Sequence, residues 1–126
     1  MERARVLIID DNDLNLELAC VVLERHGFIA RGTEGAVDIF QQIAAFRPDL
    51  ILMDIQLHGS DGLRVARAIK TDRSTRHIPV AAFTAYAMKG DAARMLANGC
   101  DAYIAKPIDV ATFADQVRAI VLRGAR

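Results

Sequence analysis

The 126 residues balance 16 Lys plus Arg against 16 Asp plus Glu, with 52% hydrophobic side chains and two cysteines. That length makes a single domain, residues 1–126, with a real core, and the zero net charge argues against a nucleic-acid-binding domain, which usually shows a basic face. Cys20 and Cys100 stand too far apart for a metal cluster, and the scattered His26, His58 and His77 do not repair that. No apolar run approaches a bilayer span. Met1-Glu2-Arg3 leads directly into a strand rather than a signal peptide, so a cytoplasmic protein with reduced thiols is expected.

In chain order, apolar runs at Val6–Asp10, Phe28–Arg31, Leu50–Asp54, Val80–Thr84 and Ala102–Ala105 alternate with amphipathic stretches. Five strands alternating with helices give an α/β fold, a doubly wound parallel sheet. Gly27, Gly99 and Gly124 sit where helices should stop, and Pro48 and Pro79 precede strands. On the first helix, Leu18, Ala19, Val22, Leu23 and His26 form one side, which should pack on the sheet, with Glu17 and Glu24 opposite. Leu14 and Val21 fall near the polar side with Arg25. They are candidate partner-docking residues together with Asn15 and, beyond the last strand, Pro107 and Ile108. The last helix should run from an Asp109 N-cap to about Arg123, with no room for an output domain after it.

The chemistry concentrates at strand ends. Leu50-Ile51-Leu52-Met53 ends in Asp54, and Val6-Leu7-Ile8-Ile9 ends in Asp10 and Asp11. If the two strands are parallel neighbours, three carboxylates meet at the carboxyl edge of the sheet, where open α/β sheets bind ligands. Three clustered carboxylates repel one another, a cost that a cation relieves. Two further strands end in Thr84 and Lys106. A hard cation such as Mg²⁺ takes oxygen ligands and suits Asp10, Asp11 and Asp54. A carboxylate can attack a phosphoryl group to give an acyl phosphate, with Lys106 and the Thr84 hydroxyl contacting its oxygens.

Val6-Leu7-Ile8-Ile9-Asp10-Asp11-Asn12, Leu52-Met53-Asp54, Phe83-Thr84-Ala85 and Lys106-Pro107 resemble the receiver domain of two-component response regulators. The likeness covers essentially the whole chain. It is nearest to stand-alone regulators of the bacterial cell-division type, which share Asp54-Ile55-Gln56-Leu57, His77-Ile78-Pro79-Val80 and Ala87-Met88-Lys89-Gly90-Asp91. The resemblance implies the flavodoxin-like strand order 2-1-3-4-5. It implies phosphorylation of Asp54 by a histidine kinase or phosphotransfer protein, with Mg²⁺ held by Asp10, Asp11, Asp54 and the Gln56 carbonyl. It also implies a Thr84–Tyr103 switch pair beside Ala85, a Lys106 phosphate contact, a cis Lys106–Pro107 bond and a downstream protein target. Such a protein is a phospho-acceptor rather than a classical enzyme, and needs neither a DNA-binding domain nor a membrane.

The chain departs from the family where a proline commonly follows the phosphorylated aspartate by four residues; here that position is His58. Asp61-Gly62 still supplies turn chemistry. An aspartate-nucleophile phosphatase would carry an acid two residues after Asp54, where this chain has Gln56. A nucleotide-binding relative would need a Gly-rich loop after the first strand, where Asp10-Asp11-Asn12 repels phosphate. Tyr86, two residues beyond Thr84, is expected to shield the site from water.

Overall fold

Apolar runs without an interior polar residue form strands buried on both faces, and here they make the centre of a sheet. The structure, a computed structural model, describes residues 3–35, 37–57, 60–84 and 89–124. Five parallel strands, β1 (Arg5–Ile9), β2 (Ile29–Thr33), β3 (Leu50–Asp54), β4 (Val80–Thr84) and β5 (Ala102–Ala105), lie in the order β2-β1-β3-β4-β5. Five helices connect and follow them: α1 (Asp13–Arg25), α2 (Ile39–Phe46), α3 (Gly62–Thr71), α4 (Lys89–Ala97) and α5 (Phe113–Gly124). Between β3 and α3, Gln56–Leu57 pairs antiparallel with Ser60–Asp61. This is the expected doubly wound sheet in the expected order.

Alternation along each strand sorts the side chains into two cores. Val6, Ile8, Leu50, Leu52, Ala81, Phe83 and Ile104 pack with α1 and α5. Leu7, Ile9, Ile51, Met53, Val80 and Ala82 pack with α2, α3 and Met95 of α4. Within the first core the rings of Phe83 and Phe113 stack with centroids 6.0 Å apart, tying β4 to α5.

Strand β1 lies one residue earlier than the expected Val6–Asp10, and three larger details differ. The buried residues of α1 are Leu16, Ala19, Val22 and Leu23, so the sheet-facing set gains Leu16 and loses Leu18 and His26, which are exposed. At 100° per residue the buried arc centres between Ala19 and Leu23, and Leu18 falls about 120° from it, on the solvent side. His26 is no longer helical; as the C-cap (φ −104°, ψ 18°) it leaves the wheel altogether. Strand β2 begins one residue late and runs on through Gly32 and Thr33, because pairing with β1 from Arg5↔Ile29 to Ile9↔Thr33 sustains an edge strand whose outer positions need no apolar residue. Finally, α5 starts at Phe113 rather than Asp109. Asp109 caps a preceding turn instead, its Oδ1 accepting the Ala111 N–H (3.0 Å) and its carbonyl the N–H groups of Thr112 and Phe113.

Helix α1 closes as the sequence signals. Gly27 takes φ +89°, its N–H donates to the Glu24 carbonyl and the Phe28 N–H reaches the Leu23 carbonyl. That is a Schellman motif, and only glycine enters it without steric cost. Gly99 closes α4 in the same way through Leu96 and Met95. Gly124, in contrast, is the last residue of α5 and lies against the Pro79 ring.

Neither cysteine is in a disulfide. Burial, aided by the Asp101 carboxylate and opposed by Lys70, pushes the Cys100 thiol up to about 11. Burial raises the half-buried Cys20 as well, with Glu24 adding to it. A thiol at 11 is roughly one part in a thousand thiolate at pH 8, and thiolate is the reactive form. Iodoacetamide at pH 8 should therefore leave Cys100 unmodified in the folded protein and alkylate it on unfolding, as site-resolved mass spectrometry will read. Prompt labelling of folded Cys100 would contradict its burial.

Candidate functional site

The sheet register assembles the acidic site. Ile9 pairs with Met53, so Asp10 follows β1 at the same level as Asp54, the last residue of β3. Residues of one parity share a face, which puts Asp10 and Asp54 on the α1/α5 side of the sheet edge. Asp11 joins them: carboxylate oxygens of Asp10, Asp11 and Asp54 all lie within 4.8 Å of one another. Asp10 is 0% and Asp54 5% exposed, so both carboxylates sit at the floor of the site, with Asp11 at its rim. The loop that holds them is locally specified. The Asp10 Oδ1 accepts the Asn12 N–H (2.9 Å), and the Asn12 side chain caps α1 by accepting the Asn15 N–H (3.0 Å).

Lys106 arrives from the far side. Thr84 pairs with Ala105, and the Lys106 N–H donates to the Thr84 carbonyl (2.8 Å), so the lysine leaves β5 one position past the ladder. Its stem crosses the Phe83 ring, with Nζ 4.9 Å from the centroid. Nζ then reaches Asp10 Oδ2 at 2.7 Å and Asp54 Oδ2 at 3.3 Å. The Lys106–Pro107 peptide is cis, as the resemblance implied.

Among the described residues, three carboxylates stand against the single ammonium of Lys106. Asp10 Oδ2 is fully buried and, despite its proximity to Lys106, makes no aligned hydrogen bond among the described residues. A buried oxygen with unused lone pairs, beside two further carboxylates, fits an oxygen-seeking divalent cation. Asp10, Asp11 and Asp54 would hold it.

On the opposite parity the edge carries the other pair. Thr84 is buried, 1% exposed, two residues beyond Ala82, and Ala82 pairs with Tyr103. Thr84 and Tyr103 therefore share the α4 side of the sheet, whereas Ile104 belongs to the α1/α5 core. Tyr103 is 48% exposed, its ring standing at the surface. Ala85, Tyr86 and His58 lie outside the described residues. Gln56 is placed by its backbone, paired with Asp61.

Among the expected docking residues, Leu14, Val21 and Pro107 are exposed, and Asn15 and Ile108 half-buried. The corrected phase of α1 adds Leu18. Leu14, Leu18 and Val21 recur at i, i+4 and i+7, an apolar stripe on the outer face of the helix that starts beside the acids. Sequence reasoning also missed Gly62. A Cβ there would fall on the Asp54 carbonyl oxygen and 2.6 Å from Ile55 Cα, so the first turn of α3 lies directly against the backbone of the site aspartate. Asp61-Gly62 read as turn chemistry; its signal is one of packing instead.

The response regulator receiver domain family matches residues 6–118. The polar-differentiation response regulator DivK of Brucella anthropi is 44% identical over 113 residues, 90% of this chain and 92% of that protein. Among solved structures, a CheY-like receiver domain protein from Methanospirillum hungatei superposes with a TM-score of 0.86 at 23% identity, covering 98% of each chain. The receiver domain of a signal transduction histidine kinase from Syntrophus aciditrophicus gives 0.83 at 27% identity, covering 95% of this chain and 91% of that one. With the expected strand order, the acidic trio and Lys106 in place, this chain belongs to the response regulator receiver domain family.

Proposed function

We propose that Asp54 accepts a phosphoryl group from a phosphohistidine of a histidine kinase or phosphotransfer protein, and that the acyl phosphate switches protein–protein contacts. The observation that carries this reading is the position of Asp54: a carboxylate at a strand end, ringed by Asp10, Asp11 and the Lys106 ammonium. In the transfer an Asp54 carboxylate oxygen attacks phosphorus, the phosphorus–nitrogen bond breaks, and the departing imidazole keeps the electron pair. Such transfers depend chiefly on positioning and on neutralising charge at the phosphoryl oxygens. A divalent cation such as Mg²⁺, bound by Asp10, Asp11, Asp54 and the Gln56 carbonyl, would supply much of that neutralisation. Lys106 supplies the protein's own share, since an ammonium 3.3 Å from Asp54 Oδ2 lies within reach of an attached phosphoryl oxygen. Gln56 is not an acid or a base, so water gains no assisted attack from that position, and the burial of Asp54 keeps water scarce.

The buried Thr84 hydroxyl is the group on the α4 side that a phosphoryl oxygen would draw toward the site. Space vacated there favours an inward Tyr103 ring, which couples the site to the surface of β5 and α4. On the other side, the Leu14, Leu18 and Val21 stripe, with Pro107 and Ile108, offers the donor protein an apolar seat next to Asp54. The similarity to DivK supports a place in a two-component pathway of that kind.

The test is direct. Incubation with Mg²⁺ and a small phosphodonor such as acetyl phosphate should add one phosphoryl group to the intact mass of the wild type and none to Asp54→Asn. An equal mass gain in the variant would overturn the assignment.

A further inference from the structure

We propose a second, anion-binding site at the opposite end of the sheet, built for an oligophosphate chain. Arg3, Arg5 and Arg47 line a cavity of about 760 Å³, within the size range of small-ligand sites. Arg31 stands beside it. The guanidinium carbons of Arg5 and Arg31 lie 4.4 and 4.8 Å from the centroid of the same Phe46 ring. The chain as a whole is neutral, so this gathering of four cations is local. Among the described residues none of the four is in an ion pair, although Lys70, Lys106 and Arg118 all are. One carboxylate, Asp49, lines the same cavity; its Oδ2 accepts the Arg5 N–H at 2.8 Å, and the arginines outnumber it.

Part of this arrangement serves the fold. Arg5 Nε donates to the Phe46 carbonyl (2.6 Å), which satisfies the end of α2 and leaves the outer guanidinium nitrogens for a ligand. Arg3 and Arg47 are exposed and have no such duty. Arg47 is moreover held in the left-handed region at φ 57°, an unfavourable backbone for a side chain of its size. Four planar forks that present paired N–H donors, fixed in part by stacking on one ring, match successive phosphates better than a single monoanion. Arg5 opens β1 and Asp10 follows its last residue, five residues on and roughly 16 Å away, so the two sites do not share residues.

Isothermal titration of the whole chain in EDTA, with no divalent cation, isolates this site from the acidic one. Tripolyphosphate should bind one to one and about tenfold tighter than sulfate, and the Arg3→Gln, Arg47→Gln double variant should lose about tenfold in affinity. Both substitutions are at exposed positions, and an unchanged denaturant-unfolding midpoint of the variant verifies that it is folded. ATP binding like tripolyphosphate identifies a bare phosphate chain as the ligand; tighter ATP binding identifies a nucleotide. Both support the site. Absent saturable binding, sulfate binding as tightly, or an unaltered affinity in the double variant would overturn it. None of these outcomes bears on phosphoryl transfer to Asp54.

Discussion

Lys106→Met should destabilise the protein by about 3 kcal/mol in EDTA, the cost of removing one partner from a buried ion pair. The lysine side chain is 14% exposed and holds two carboxylates, one of them fully buried. Methionine keeps an unbranched stem across Phe83, so the variant removes charge while retaining most of the packing. What remains is three carboxylates within 4.8 Å of one another that have lost the Lys106 ammonium. Denaturant unfolding of wild type and variant, each with and without millimolar Mg²⁺, gives the answer. Mg²⁺ should stabilise both, because it binds the folded site and not the unfolded chain. It should stabilise Lys106→Met at least as much as the wild type, since the Lys106 ammonium then no longer opposes it. Equal stability of the two proteins in EDTA would show that the ion pair contributes little. Insensitivity of both to Mg²⁺ would remove the acidic trio as a cation site.

Much of this architecture was legible because strong local signals and tertiary structure agree. Leu50–Asp54 forms a strand with those bounds because four buried apolar residues followed by a carboxylate leave a central strand little choice of register. The same logic aligned Asp10 with Asp54 and separated Tyr103 from Lys106 by parity. Where the reading failed, the missing information was not local. Leu18 on the outer stripe has the hydropathy of a core leucine, and its face is settled only by which arc of α1 meets the sheet. Strand β2 is polar along its exposed edge, so its length follows from pairing with β1 rather than from its own composition. Arg3, Arg5, Arg31 and Arg47 are scattered in sequence, and only the closeness of the start of β1, the middle of β2 and the end of α2 gathers them. Gly62 is the clearest case, because what matters there is an absent atom.

Gly62→Ala should lower stability by about 3 kcal/mol, the upper end for overpacking a well-filled interior. Added carbon at this position would strike backbone, at the Asp54 carbonyl and Ile55 Cα, and backbone of a central strand cannot rotate away as a side chain can. The Gly62 N–H also donates to the Ile55 carbonyl at 3.3 Å, so moving α3 outward to make room breaks that contact. Strain taken up by β3 instead would shift Asp54 against Asp10 and Lys106. The variant is therefore expected to lose both stability and Mg²⁺ response. Gly35→Ala is the control: a Cβ there meets nothing within 4 Å, and the change should be neutral or slightly stabilising. Denaturant unfolding and Mg²⁺ titration of both variants decide the matter. Gly62→Ala within about 0.5 kcal/mol of wild type, the ordinary range for surface substitutions, would mean that α3 does not rest on the Asp54 backbone as described. Loss of stability with an intact Mg²⁺ response would place the yielding element in α3 and leave the geometry of Asp54 unaffected.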